Sequence, residues 1–195
     1  AFAPPPRMII FGAVDFSAAL ARVAKVLGFH VTVCDARPAF ATRARFPGLG
    51  NALDDLKLQF SDRVATLAWN GYRHMELYFG VSGSGRVLHT VNPRLHPDQI
   101  AWIVNHAEDQ VLCFDTTFLP LVQAVHAKCP TVKKWVALCD ADKLPADTGI
   151  PGLTSYEAWI GAHSSDYAWP EFDENSASSM CYTSGTTGNP KAALY

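Results

Sequence analysis

Short apolar runs alternating with stretches of helical periodicity constrain this chain more than any other feature. The runs MIIFG, HVTVCD, DRVATLAW, RVLHTVN, QVLCFD and VKKWVALCD are brief and largely apolar. Between them lie FSAALARVAKVL, GNALDDLKLQF, YRHMELYFGVSGSG, HPDQIAWIVNHAED and TTFLPLVQAVHAKC, which read as helices. A strand followed by a helix cannot turn back as a hairpin, so the next strand returns parallel to it through a right-handed crossover. The alternation therefore predicts an α/β fold with a mostly parallel sheet and helices on its faces. HPDQIAWIVNHAED carries the clearest helix signal: a proline and an acid in its first turn, then Ile100, Ile103, Val104 and Ala107 on one face. Residues 141–170 are looser, and only SYEAWIGA there reads as helical.

The chain divides by character near Pro47-Gly48, giving expected domains at 1–47 and 48–195. In the first, Ala18, Ala21, Val23, Val26 and Leu27 have the spacing of a helix packed on a sheet, Gly28 closes that helix, and the second strand ends in Asp35. This is a βαβ unit. An acidic residue at that place holds a ribose hydroxyl in dinucleotide-binding folds, which makes Gly12 and Asp35 the candidate dinucleotide residues. The glycine fingerprint G-x-G-x-x-G is incomplete, however. The turn reads Gly12-Ala13-Val14-Asp15, with Val14 where the backbone must approach pyrophosphate and a carboxylate next to it. A structural βαβ is favoured over an NAD-type site. The stretch from PPPR to ARFP, residues 4–47, resembles the Rossmann domain of XdhC/CoxI-type xanthine dehydrogenase accessory proteins, on its FGA turn, LGFHVTVCDARP strand and ARFP tail.

Composition removes several classes. The 195 residues carry a formal net charge of -2, with neither a basic block nor a polybasic helix, which argues against nucleic-acid or membrane-surface binding. Five cysteines are scattered without a CxxC pair or metal-ligand spacing, so no metal site is expected and reduced, buried thiols are. The start AFAPPPRMIIFG does not read as a signal peptide, and no apolar run reaches the roughly 20 residues of a membrane helix. A cytoplasmic protein is expected. His74, His89, His96, His106 and His126 show no mutual metal spacing and read as structural. Oligomeric state is not legible.

The segment YTSGTTGNPK, Tyr182 to Lys191, gathers glycine, hydroxyl residues and a single lysine. Glycines let successive N–H groups turn inward, hydroxyls donate with little bulk, and the lysine adds a point charge, a combination suited to polyphosphate. It is not a Walker A motif, because Lys191 stands three residues beyond Gly188 and Ala192 follows it.

With DRVATLAWN and HMELYFGVSGSGRVLHTVNPRLHPDQIAWIVNHAED, this motif resembles the N-terminal part of adenylate-forming enzymes over residues 49–195. The medium- and long-chain fatty acyl-CoA ligase branch is the most similar. The resemblance implies a carboxylate attacking the α-phosphorus of ATP and then CoA displacing AMP. It assigns Thr183, Ser184, Gly185, Thr186, Thr187, Gly188 and Lys191 to the β- and γ-phosphates of the nucleotide, with Mg2+ and CoA as partners of the reaction and a fatty acid as substrate. Ala192 replaces the family's usual glycine, which puts the loop's exit geometry in question. The family's magnesium acid, ribose aspartate, adenine-stacking aromatic and catalytic lysine fall beyond Tyr195, so the expectation is a truncated ligase without activity as this chain. The alternative is a non-catalytic nucleotide-binding or scaffolding module built on the N-terminal unit.

Overall fold

The computed structural model describes residues 6–11, 20, 23–34, 45–164, 166–183 and 189–195. The chain forms two compact units, Ala1–Thr42 and Arg43–Tyr195. In the first, β1 (Arg7–Phe11) and β2 (His30–Cys34) pair in parallel, from Arg7 opposite His30 to Phe11 opposite Cys34. The helical turn at 23–26 ends as expected at Gly28, whose φ of 83° suits a residue without Cβ. The Gly28 N–H donates to the Lys25 carbonyl and the Phe29 N–H to the Ala24 carbonyl, both at 3.0 Å, which is a Schellman ending. The expected packing face needs correction. Ala24 is buried, whereas Val23, Val26 and Leu27 are exposed. A two-stranded sheet offers one narrow stripe of cover, and there the small side chain is the one enclosed. Ala18, Ala21, Gly12 and Asp35 lie outside the described residues.

The second unit is built on seven strands in the order β7-β6-β5-β3-β4-β8-β9. These are β3 (Arg63–Leu67), β4 (Val87–Thr90), β5 (Val111–Phe114), β6 (Lys134–Ala137), β7 (Thr154–Ser155), β8 (Ser179–Thr183) and β9 (Lys191–Leu194). All neighbours are parallel except β8 and β9. Helices cover both faces: α1 (Arg45–Asp55), α2 (Tyr72–Gly83) and α5 (Tyr156–Gly161) on one, α3 (Pro97–His106) and α4 (Leu119–Val125) on the other. The strands show why their sequences are apolar runs rather than alternating ones. Val111 and Cys113 of β5 enter the first core, Leu112 and Phe114 the second, and all four are buried. The open, mostly parallel α/β sheet agrees with the expectation.

Two local differences from the sequence reading have physical causes, and a third has no local signal. First, α1 starts at Arg45 and runs through Pro47 and Gly48, so the boundary drawn at 47/48 falls inside a helix. The glycines there serve close packing: a Cβ on Gly48 would lie 2.7 Å from the Ile160 carbonyl oxygen, and one on Gly50 2.7 Å from the Tyr167 ring. Proline within the first helical turn forfeits an N–H that has no partner anyway. Second, TTFLPLVQAVHAKC forms α4 flanked by 3-10 turns at Thr116–Phe118 and His126–Lys128 rather than one helix. Pro120 stands at the start of α4, where it begins a helix and cannot continue one. Third, the terminal hairpin β8–β9 and the short β7 are not legible in the sequence as strands.

α3 matches its signal. The His96 ring accepts from the Asp98 N–H, the Gln99 side chain accepts from the His96 N–H, and Pro97 opens the helix. Ile100, Ile103, Val104 and Ala107 are buried as expected. Cys113, Cys129 and Cys139 are also buried, and burial pushes their thiols up, that of Cys129 to about 11, so they act as small hydrophobes.

Candidate functional site

The winding of the chain fixes where ligand chemistry belongs. The chain leaves β3 toward α2 on one face, while β4 and β5 lead to α3 and α4 on the other. Ligands of open α/β sheets bind beyond the carboxyl ends of strands where the winding reverses. β8 runs parallel to β4, with Leu88 opposite Ser179 and Thr90 opposite Cys181, so its last residue, Thr183, emerges at that same end.

Of the seven residues assigned to phosphate, the structure brings Thr183 and Lys191 together as cross-strand partners at the mouth of the hairpin. The Thr183 hydroxyl donates to the Lys191 carbonyl at 3.3 Å, and both side chains are exposed. Ser184, Gly185, Thr186, Thr187 and Gly188 lie outside the described residues. Ala192 sits in the extended strand opposite Tyr182, a backbone conformation that any residue adopts.

The root of the hairpin is held by a group of side chains that no spacing in the sequence assembles. Tyr182 Oη and His106 Nδ1 hydrogen-bond at 2.6 Å. The His106 ring stacks on Trp102, with centroids 4.6 Å apart and planes 18° apart, and Trp102 meets Tyr182 edge-on. The His89 ring also lies against Tyr182, with centroids 5.2 Å apart. His89 Nδ1 is 2.8 Å from Asp109 Oδ2, and both residues are fully buried. Burial raises the Asp109 carboxyl, and the hydrogen bond to His89 opposes that rise. Burial likewise raises the Tyr182 phenol. The only advance signal is an aspartate two residues ahead of a buried strand and a histidine inside another; nothing in their spacing pairs them.

His74 hydrogen-bonds the Thr66 hydroxyl at 3.1 Å and the Trp69 carbonyl at 3.2 Å, and burial pushes its ring below the usual value. The loop after β4 is held by Asn92, whose side chain accepts from the Arg94 N–H, while Arg94 itself is exposed. Among the described residues no three metal-ligating side chains converge, and no helix is long and apolar enough to cross a membrane.

Comparison with known proteins places this architecture. Over 147 residues the chain is 51% identical to a medium-chain-fatty-acid–CoA ligase of Ectopseudomonas oleovorans, covering 75% of this chain and 27% of that protein. Over the same length it is 52% identical to a 3-methylmercaptopropionyl-CoA ligase of Ruegeria pomeroyi, again covering 75% and 27%. The chain thus spans about a quarter of the length of these relatives. Its fold is that of an anthranilate CoA ligase solved with anthranoyl-AMP, with a TM-score of 0.69 at 24% identity over 78% of this chain and 28% of that one. The sheet, the hairpin and its loop all fall within residues 41–195, the stretch that matches the AMP-binding enzyme pattern, and the chain belongs to the AMP-binding enzyme family.

Proposed function

We propose that the loop bracketed by Thr183 and Lys191 grips the β- and γ-phosphates of ATP in an AMP-forming acyl-CoA ligase acting on medium- or long-chain fatty acids. The observation that carries this reading is the pairing of Thr183 with Lys191 across the hairpin mouth, at the ligand-binding end of the sheet. A hydroxyl and an ammonium group there fit phosphate oxygens, and Ser184, Thr186, Thr187 and the glycines between them extend the same donor set. The pair includes no carboxylate, so Mg2+ would enter on the nucleotide's own oxygens. The identity to fatty-acid and methylmercaptopropionate ligases supports a carboxylic acid and CoA as co-substrates.

In this reaction a carboxylate oxygen attacks the α-phosphorus, the new O–P bond forms, and pyrophosphate leaves with the electron pair. The CoA thiolate then attacks the acyl carbon and AMP departs. The loop's part is to neutralise charge on the departing pyrophosphate, which is electrostatic and positional work. We assign the arrangement as a Rossmann-like unit akin to XdhC/CoxI-type accessory proteins ahead of a ligase segment, with the boundary moved from 47/48 to 42/43, before α1 begins. The parallel β1–β2 pair and a family match that starts at residue 41 support two units of separate origin.

A calorimetric titration of the chain with inorganic tripolyphosphate, MgATP and AMP tests the phosphate grip. Tripolyphosphate and MgATP are expected to bind at least about tenfold more tightly than AMP, and Lys191→Ala to remove that preference, the scale of one charge-assisted contact. Equal affinity for AMP and ATP, or a Lys191→Ala variant that binds as the wild type does, would overturn the reading.

A further inference from the structure

We propose that His106 is a positioning residue for the phosphate-binding loop, acting through the hydroxyl of Tyr182; the inference rests on that loop's being the phosphate grip. The starting point is how the hairpin leaves the sheet. The β4–β8 ladder ends where Thr90 faces Cys181. Tyr182 and Thr183 continue beyond it, paired with Ala192 and Lys191 of β9. β9 is the outermost strand, and Lys191, Ala192 and Leu194 are exposed. An edge hairpin that outruns its ladder can swing unless a side chain ties it to the body.

Among the described residues Tyr182 supplies that tie. Its ring is flanked by His89 and Trp102, and its hydroxyl meets His106. His106 is itself fixed in direction, because its ring lies flat on Trp102 one helical turn earlier. α3 cannot slide, since Ile100, Ile103 and Val104 are buried in the core. His89, which also packs on the Tyr182 ring, is pinned by Asp109. A rigid helix thus sets the position of the residue that directly precedes Thr183, the first phosphate donor of the loop. Positioning of this kind matters because a displaced donor loses most of its hydrogen-bond energy.

The test uses the 195-residue chain and four variants: Tyr182→Phe, His106→Ala, the double variant, and His106→Gln, whose amide can again meet the tyrosine hydroxyl. Two quantities are read, the dissociation constant for tripolyphosphate and amide hydrogen exchange from Thr183 to Ala193. Each of the first two variants should weaken binding about three- to tenfold, the range of one ordinary hydrogen bond. Each should also speed exchange at the hairpin while leaving exchange in β3 and β5 unchanged. The double variant should be no worse than either single one, and His106→Gln should recover most of the loss. Single variants that bind and exchange like the wild type, or losses that add in the double variant, would overturn the proposal. If tripolyphosphate binds none of the proteins, the phosphate reading falls, and exchange alone decides the tie: faster hairpin exchange in His106→Ala supports it, and unchanged exchange refutes it. Should His106→Ala fail to fold, Tyr182→Phe carries the same test with only a hydroxyl removed.

Discussion

The middle of the large sheet and its terminal hairpin are built on different principles. β5 lies between β3 and β6, and each of its four residues is buried, two in either core. At the tip of β8–β9 the two strands pair only with each other, Thr183 and Lys191 are exposed, and among the described residues Tyr182 is the aromatic anchor. The middle is held by area removed from water, which is large and non-directional. The tip is held by a few directional contacts. Stability and phosphate chemistry should therefore respond to different substitutions, and a substitution that moved both would break that separation.

The largest effect is expected at Phe114, which is fully buried in the core on the α3–α4 face. Phe114→Ala should cost about 3–5 kcal/mol of unfolding free energy, from lost transfer and an unfilled cavity. Urea denaturation reads the loss. Protein that remains folded should keep the wild-type affinity for tripolyphosphate, because the described hairpin residues Met180 and Tyr182 belong to a different apolar cluster from Phe114. A change in that affinity beyond about threefold would show that core and tip are coupled after all, since independent sites shift each other by only a few tenths of a kcal/mol.

A smaller cost is expected at Gly48. Alanine normally stabilises a helix interior by up to about 1 kcal/mol relative to glycine. Here the added methyl carbon would lie 2.7 Å from the Ile160 carbonyl oxygen, which belongs to backbone and cannot rotate away. Overpacking of about 1–3 kcal/mol should outweigh the propensity gain. Gly48→Ala should therefore lower the denaturation midpoint. A raised midpoint would mean that α1 and α5 move apart at little cost, and that the core on that face is softer than the other.

The same contrast explains what can be read in advance. The strands β3 to β6 are legible because burial on both faces leaves a continuous apolar run, and α3 because its cap and its four buried positions act locally. The start of α1 is not: Pro47 and Gly48 look like a break when the helix that Gly48 packs against is unknown. The packing face of the first unit is hidden for a related reason, since spacing alone does not say that Ala24 is covered and Val26 is not. At the site, the donor types of the loop are legible because glycine, hydroxyl and lysine carry their chemistry with them. The Asp109–His89 pair and the His106–Tyr182 bond are not, because they join residues 20 and 76 positions apart. Contacts of that range are created by the order of strands in the sheet, which no local pattern encodes.

The smallest expected effect sets one histidine of the body against one at the tip. His74 is buried beside Thr66 and Trp69, and burial lowers its affinity for a proton; the hydrogen bond to the Trp69 carbonyl and the charge of Asp115 partly offset this. In the unfolded chain the same ring titrates near 6.5. Below that value the unfolded state binds more protons than the folded one, so stability falls as pH falls. The contribution is whole above about pH 6.5 and is lost progressively as pH drops through the lowered folded value. Urea midpoints of the wild type and His74→Asn between pH 7.5 and 5 check it. The variant should be less stable at pH 7.5, having lost the ring's two hydrogen bonds, and its midpoint should fall less steeply toward pH 5. Because every other histidine is common to both proteins, the difference between the two curves isolates this ring, and parallel curves would show that His74 gains its proton in the folded protein as readily as in the unfolded chain. Tripolyphosphate affinity measured on the folded fraction should not follow this difference, for the loop is tied to His106 and not to His74.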